Sequence, residues 1–360
     1  MKYEDNTREA VTLLKQLIAT PSISRNELYA ADIIEQFLTD KGCDTHRLGN
    51  NVWVVAEGFD NSRPTILLDA HIDTVKPVNG WIHDPFTPEE TADGTIYGLG
   101  SNDDGGSLVA LMQVFLMMRN SLDNKYARNF NLIFSASAEE EVSGKEGIEK
   151  VLPELPRIDF CIVGEPTGMQ LAVAEKGLMV VDAVAHGKAG HAARNEGVNA
   201  IYIATDDIQW IRSHTFERQT DLLGPVKTTV TIINAGTQHN VIPDECKFTI
   251  DVRSNECYTN QELLDSLRQN LQSELKERST RLNSSRVPLD HPFVLRAKQL
   301  GLTTFGSPTL SNQALMPFPS VKIGPGDSAR SHTANEFIRI SEIDDAIDLY
   351  MRLLDFNFTI

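Results

Sequence analysis

The sequence predicts an α/β protein: a mainly parallel-sheet domain interrupted by an inserted, ferredoxin-like α+β domain. Three observations predict it. Short apolar runs alternate with helical patterns through the first 176 residues, the order that builds parallel sheets. From about Gly177 the texture changes to the order β-α-β-β-α of a split sandwich. Past residue 288 a helix, a strand and a helix return. The principal domain is therefore expected over 1–176 and 288–360, and the insertion over 177–287.

Taking the elements in order, Val11, Leu14, Leu17 and Ile18 recur at helical spacing within residues 7–19, which Pro21 closes. Ser24-Arg25-Asn26-Glu27 reads as a capping box opening a helix that runs through Phe37 and Leu38 and ends at Gly42. Apolar runs at 52–56, 65–68, 131–135 and 160–163 have strand length, and polar, glycine-rich or acidic residues follow each of them. A long apolar helix at 106–118 separates the second from the third. In the insertion, strands are expected at 179–185, 227–233 and 247–253, with helices at 199–212 and 260–277. A helix at 293–300, a strand at 321–323 and a helix at 341–356 complete the chain.

With 33 basic and 50 acidic residues the 360-residue chain carries a formal charge of −17. Such a chain repels phosphate backbones and anionic lipid, which argues against nucleic acid and membrane partners. Cys43, Cys161, Cys246 and Cys257 form no CxxC pair, so a reduced, cytoplasmic setting is expected. The N-terminus MKYEDNTREAV lacks the basic and apolar parts of a signal peptide, and no run of about 18 apolar residues occurs.

In parallel sheets ligands bind past the carboxyl ends of strands, and acidic residues gather at those ends here. His71 and Asp73 are two apart on one strand, hence on the same side. The imidazole could ligate a metal and the carboxylate could fix its tautomer. Gly98-Leu99-Gly100-Ser101-Asn102-Asp103-Asp104 puts adjacent carboxylates in a glycine-rich turn. Asp104 alone would read as a helix cap, but paired aspartates in such a turn point to a cation. Glu139-Glu140-Glu141 follows a strand. A solvated loop is the plain reading, yet three like charges there are costly unless cations offset them. Glu165, in Val163-Gly164-Glu165-Pro166-Thr167, ends another strand, and His332 lies in the polar loop Ser331-His332-Thr333-Ala334-Asn335-Glu336-Phe337. Together these supply the nitrogen and oxygen donors that suit zinc.

The order HxD, GxGxxD, EE, GEPT and HxxNEF resembles the M20 family of zinc aminoacylases and peptidases, over almost the whole chain. The resemblance implies that the principal domain is a zinc-hydrolase catalytic domain and the insertion a lid and dimerisation domain. It also implies two zinc ions, or cobalt, per subunit: His71 and Glu165 on one, Glu141 and His332 on the other, Asp103 bridging. By the same resemblance Asp73 orients His71, Glu140 is the general base, and the Asp103–Asp104 peptide is cis. His191, in Gly190-His191, would stabilise the oxyanion in the partner subunit of a homodimer. Asn240 and Arg253 would contact substrate. An arginine fork suits an α-carboxylate, although a salt bridge within the lid explains Arg253 as well. Leu99, Gly105 and Asn312 stand where many members have Arg, Lys and Asp, departures that bear on the substrate.

The implied activity is removal of the acyl group from an Nα-acyl amino acid, with N-acetylornithine of arginine biosynthesis favoured by the AEEEVSG and GEPT segments and by chain length. Acyl-citrulline, succinyl-ornithine, a lysine-branch substrate such as succinyl-diaminopimelate, and di- or tripeptides are the alternatives. Binding proteins on this fold lose ligands, whereas all five ligand positions are filled here.

Overall fold

The computed structural model describes residues 3–120, 129–194 and 196–358. They form two compact units, one of Met1–Val173, Val287–Phe305 and Ser311–Ile360, the other of Ala174–Arg286 and Gly306–Leu310.

The first unit is built on a sheet in which strands follow the order Thr45–Leu48, Asn51–Val55, Asn131–Ser137, Thr65–His71, Phe160–Val163, Ser320–Lys322 and Leu171–Glu175. The Thr65–His71 strand runs parallel to the strands on both sides, and Ser320–Lys322 runs parallel to Phe160–Val163. Parallel strands covered on both faces bury every side chain, as Thr65–His71 and Asn131–Ser137 do. That is why they read as unbroken apolar runs rather than alternating ones. Register pairs His71 with Ser137 and Asp69 with Val163, so the residues that follow all three strands leave the sheet at its carboxyl end.

Two strands run further than expected, to His71 and Ser137 instead of 68 and 135. Their polar ends are buried because they satisfy one another. The Asn312 amide donates to Asp69 Oδ2 and to Ser137 Oγ, both at 2.9 Å. The Gly106–Met118 helix forms as expected and is apolar nearly all round because it packs beside both Glu4–Ile18 and Ile340–Leu354.

The expected capping box at residues 24–27 does not form. Arg25 takes a left-handed turn (φ 74°), Ser24 Oγ donates to Asp73 Oδ2 at 2.7 Å, and Glu27 receives the Asn50 amide at 2.8 Å. The helix is Leu28–Asp40 and has no side-chain cap.

The second unit is an antiparallel sheet in the order Lys227–Ala235, Glu245–Arg253, Met179–His186, Glu274–Glu277, with helices Ala200–Ser213 and Asn260–Asn270. The helix expected over 260–277 thus stops after 11 residues, and a fourth strand completes the βαββαβ order. Leu271 turns extended (ψ 145°), and buried Asp207 captures the chain there. Its carboxylate accepts N–H groups from Gln272 and Ser273, both at 2.9 Å, and the Ser273 hydroxyl at 2.5 Å. Val181, Phe248, Ile250 and Leu263 lie in this unit's core. Among the described residues no helix is long and apolar enough to cross a membrane, and the four cysteines are free thiols.

Candidate metal centre

Buried His71 stands at the end of its strand. Its Nδ1 is 2.9 Å from the Asp73 carbonyl and 3.5 Å from Asp73 Oδ1. A proton on Nδ1 shared with that carbonyl leaves the Nε2 lone pair for a cation. The imidazole is therefore oriented chiefly by the main chain of Asp73. The Asp73 carboxylate has other partners: it accepts N–H groups from Glu140 at 2.9 Å and Glu141 at 3.1 Å. Together with the Ser24 hydroxyl these bonds hold the acidic turn against the strand end. Glu139 turns that segment off its strand in a left-handed conformation (φ 56°).

Asp103 lies in the Ser101–Gly105 turn, followed by a cis peptide to Asp104. The turn is tight around Gly100 (φ 75°), where a Cβ would lie 2.6 Å from Thr74 Cγ2. Asp103 Oδ1 is 3.1 Å from His71 Nε2. Asp104 is not the cap of the helix, which starts behind Gly105; its carboxyl is buried beside the Ser107 hydroxyl.

Donor atoms of His71, Glu140 and Glu165 lie within 4.8 Å of one another, and so do those of His71, Asp103 and Glu141. His332 Nε2 is 3.0 Å from both Glu141 oxygens and 3.7 Å from Asp103 Oδ2. The residues expected at a two-metal site thus lie together, with Glu140 in the same group as His71 and Glu165.

Burial pushes the Glu140 and Glu165 carboxyls well above the ordinary range, with neighbouring carboxylates adding to the shift, and it raises Glu141 as well. Burial also pulls His71 down, but hydrogen bonds to Asp103 and Asp73 override it and leave the imidazole well above its usual value. The hydrogen bond to Glu141 lifts His332 to about 9. Carboxylates this close and this dry hold protons unless cations take their place. Imidazole nitrogen and carboxylate oxygen in two groups of cation size fit a pair of divalent ions.

His191, Asn240 and Arg253 belong to the second unit. Gly190–His191 pairs with Val241–Ile242 in a two-stranded ribbon, and Ala192 N donates to the Asn240 carbonyl at 3.0 Å. The ribbon therefore sets His191 beside Asn240. The exposed His191 ring accepts the Ala193 N–H at Nδ1, 3.1 Å away, which leaves its proton on Nε2 as a donor. Arg253 is already engaged, forking onto Asp251 at 2.9 and 3.1 Å. Here the structure favours the salt bridge over a free carboxylate receptor.

Sequence reasoning missed Lys322, which is buried on its strand and offsets the charge of Glu165. The signal was a lysine inside the apolar run Val321-Lys322-Ile323.

A model of peptidase family M20/M25/M40 matches residues 67–355. A succinyl-diaminopimelate desuccinylase of Wolbachia pipientis is 29% identical over 274 residues, covering 72% of this chain and 67% of the relative. One of Cereibacter sphaeroides is 24% identical over 384 residues, covering 98% of this chain and 99% of that one. A tripeptidase structure from Staphylococcus aureus superposes with a TM-score of 0.77 at 20% identity, covering 97% and 98% of the two chains. A dinuclear metal-binding peptidase from Bacillus subtilis does so with 0.71 at 17%, covering 98% of each.

Proposed function

Because this chain belongs to peptidase family M20/M25/M40, whose members hydrolyse amide bonds, we propose that it is a two-metal deacylase of Nα-acyl amino acids, with N-acetylornithine as substrate. The observation that carries the reading is the pair of ligand groups that share His71.

When bound, two zinc or cobalt ions polarise the scissile carbonyl and bring the pKa of a shared water to about 7. Asp103, with Oδ1 3.1 Å from His71 Nε2 and Oδ2 3.7 Å from His332 Nε2, would be the ligand that both ions share. His71 and Glu165 serve one ion, Glu141 and His332 the other. Glu140 is within reach of the same space and takes the proton from water as the carbonyl is attacked, then returns it to the leaving amine. His191, with its proton on Nε2, donates to the oxyanion across a homodimer formed through the inserted unit. Such a donor contributes about 3–4 kcal/mol. Asn240, beside it on the ribbon, contacts substrate.

The AEEEVSG and GEPT segments favour an arginine-pathway substrate, including acyl-citrulline and succinyl-ornithine. The second reading, succinyl-diaminopimelate hydrolysis, is favoured by the names of the relatives. A panel of acetyl-ornithine, acetyl-citrulline, succinyl-ornithine, succinyl-diaminopimelate and dipeptides decides between them. The reading expects the highest kcat/KM on acetyl-ornithine, and a preference for either of the last two overturns it.

A further inference from the structure

The HTANEF segment contributes His332 to the centre, but two further residues in it are used in a way that ligand chemistry does not explain. Glu336 is buried, 2% exposed, four residues beyond His332. A single oxygen, Oε1, accepts the N–H groups of both Asn102 and Asp103, each at 2.9 Å. Its main-chain carbonyl accepts Gly98 N–H at 3.0 Å. Asn102 ties the same two segments from the other direction. Its amide donates to the Asp327 carbonyl at 3.1 Å and to Ser331 Oγ at 3.2 Å, while its Oδ1 accepts Asp327 N–H at 2.9 Å. Asn335, left-handed (φ 61°), receives N–H groups from Ile82 at 2.7 Å and His83 at 3.2 Å.

The peptide on either side of Asn102 aims the Asp103 carboxylate. Glu336 grips it at both N–H groups from the loop that also carries His332. Two donors to one cation group, Asp103 and His332, are thus held in mutual position by one short segment. We propose that Glu336 is a positioning residue for the metal bridge: it fixes the Asn102–Asp103 backbone so that the carboxylate of Asp103 lies between the two ion positions. Carboxylates that hold ligands from behind typically account for 10- to 100-fold in metal affinity.

The assignment rests on the two-metal reading above. The test is Co2+ titration of the metal-free full-length protein, with binding followed calorimetrically and spin coupling between the two ions followed by EPR. The unmodified protein is expected to bind two ions and to show coupling. Glu336→Ala should weaken ion binding roughly 10- to 100-fold and lose the coupling. Glu336→Gln, which keeps an oxygen for both N–H groups, should recover most of each. Where Glu336→Ala does not fold, Glu336→Asp carries the test, since its carboxylate is drawn back by one methylene and should weaken ion binding and coupling in the same way. Unchanged affinities and coupling in the Ala or Asp variant overturn the proposal. An unmodified protein that binds no ions instead overturns the two-metal reading itself.

Discussion

Asp73 accepts two backbone N–H groups and a hydroxyl with one carboxylate, so its removal should act on residues it precedes by a whole α/β unit. Asp73→Ala strands the Glu140 and Glu141 amides, each at a cost of about 1–3 kcal/mol where buried. It should therefore release metal as well as lower stability, which equilibrium dialysis and calorimetry would detect together. Glu140→Gln differs in kind: turnover should fall roughly 10²- to 10⁴-fold while both ions stay bound, and retained activity would remove Glu140 from its role as base. His71 and Asp73 were legible in the sequence as a pair. The partners of Asp73 were not, because Glu140 and Glu141 lie 67 and 68 residues away and no periodicity links them. Arg253 is the opposite case: its salt-bridge partner Asp251 is only two residues away, and strand alternation places both on one side.

Among the elements, the parallel strands were legible because burial on both faces leaves long apolar runs, and their buried polar ends were what the runs did not show. The Asn260–Asn270 helix was overextended because the signal that stops it is Asp207, on another helix. Asp207→Ala should cost about 1–3 kcal/mol for each N–H it strands at 272 and 273, and Asp207→Asn, which keeps an acceptor, less. Thermal melting of the two variants checks this. The start of the same helix carries a capping box that does form, Thr259 with Glu262, and Arg218 also pairs with Glu262. The Arg218 bond, then the Thr259 bonds, hold Glu262 at about 2, below its ordinary 4.5. A depressed carboxylate stabilises the fold fully above its unfolded pKa. That contribution declines as pH falls from 4.5 and is lost through about 2. The stability gap between wild type and Glu262→Gln should therefore close over that window, and a gap that widens on acidification would refute it.

At the scale of the molecule, the centre gathers carboxylates that repel one another without cations. Chelation at pH 7 should thus lower the melting temperature. Each ion held at 100 times its Kd contributes about 2.7 kcal/mol, and a melting curve indifferent to chelator would count against the site. The centre also has a timetable. Ser320–Lys322 lies between Phe160–Val163 and Leu171–Glu175 in the sheet, and His332 meets a partner 191 residues earlier in the chain. During synthesis the ribosome delivers the outer strands first and leaves a slot between them, with an unpaired edge on each side. The slot is filled, and Lys322 brought to Glu165, only when the last part of the chain emerges. The nascent chain therefore carries an open sheet and a half-made cage of acids through most of its synthesis. The acids that face His71 are delivered early, Glu165 the last of them, and Lys322 and His332 join them at the end.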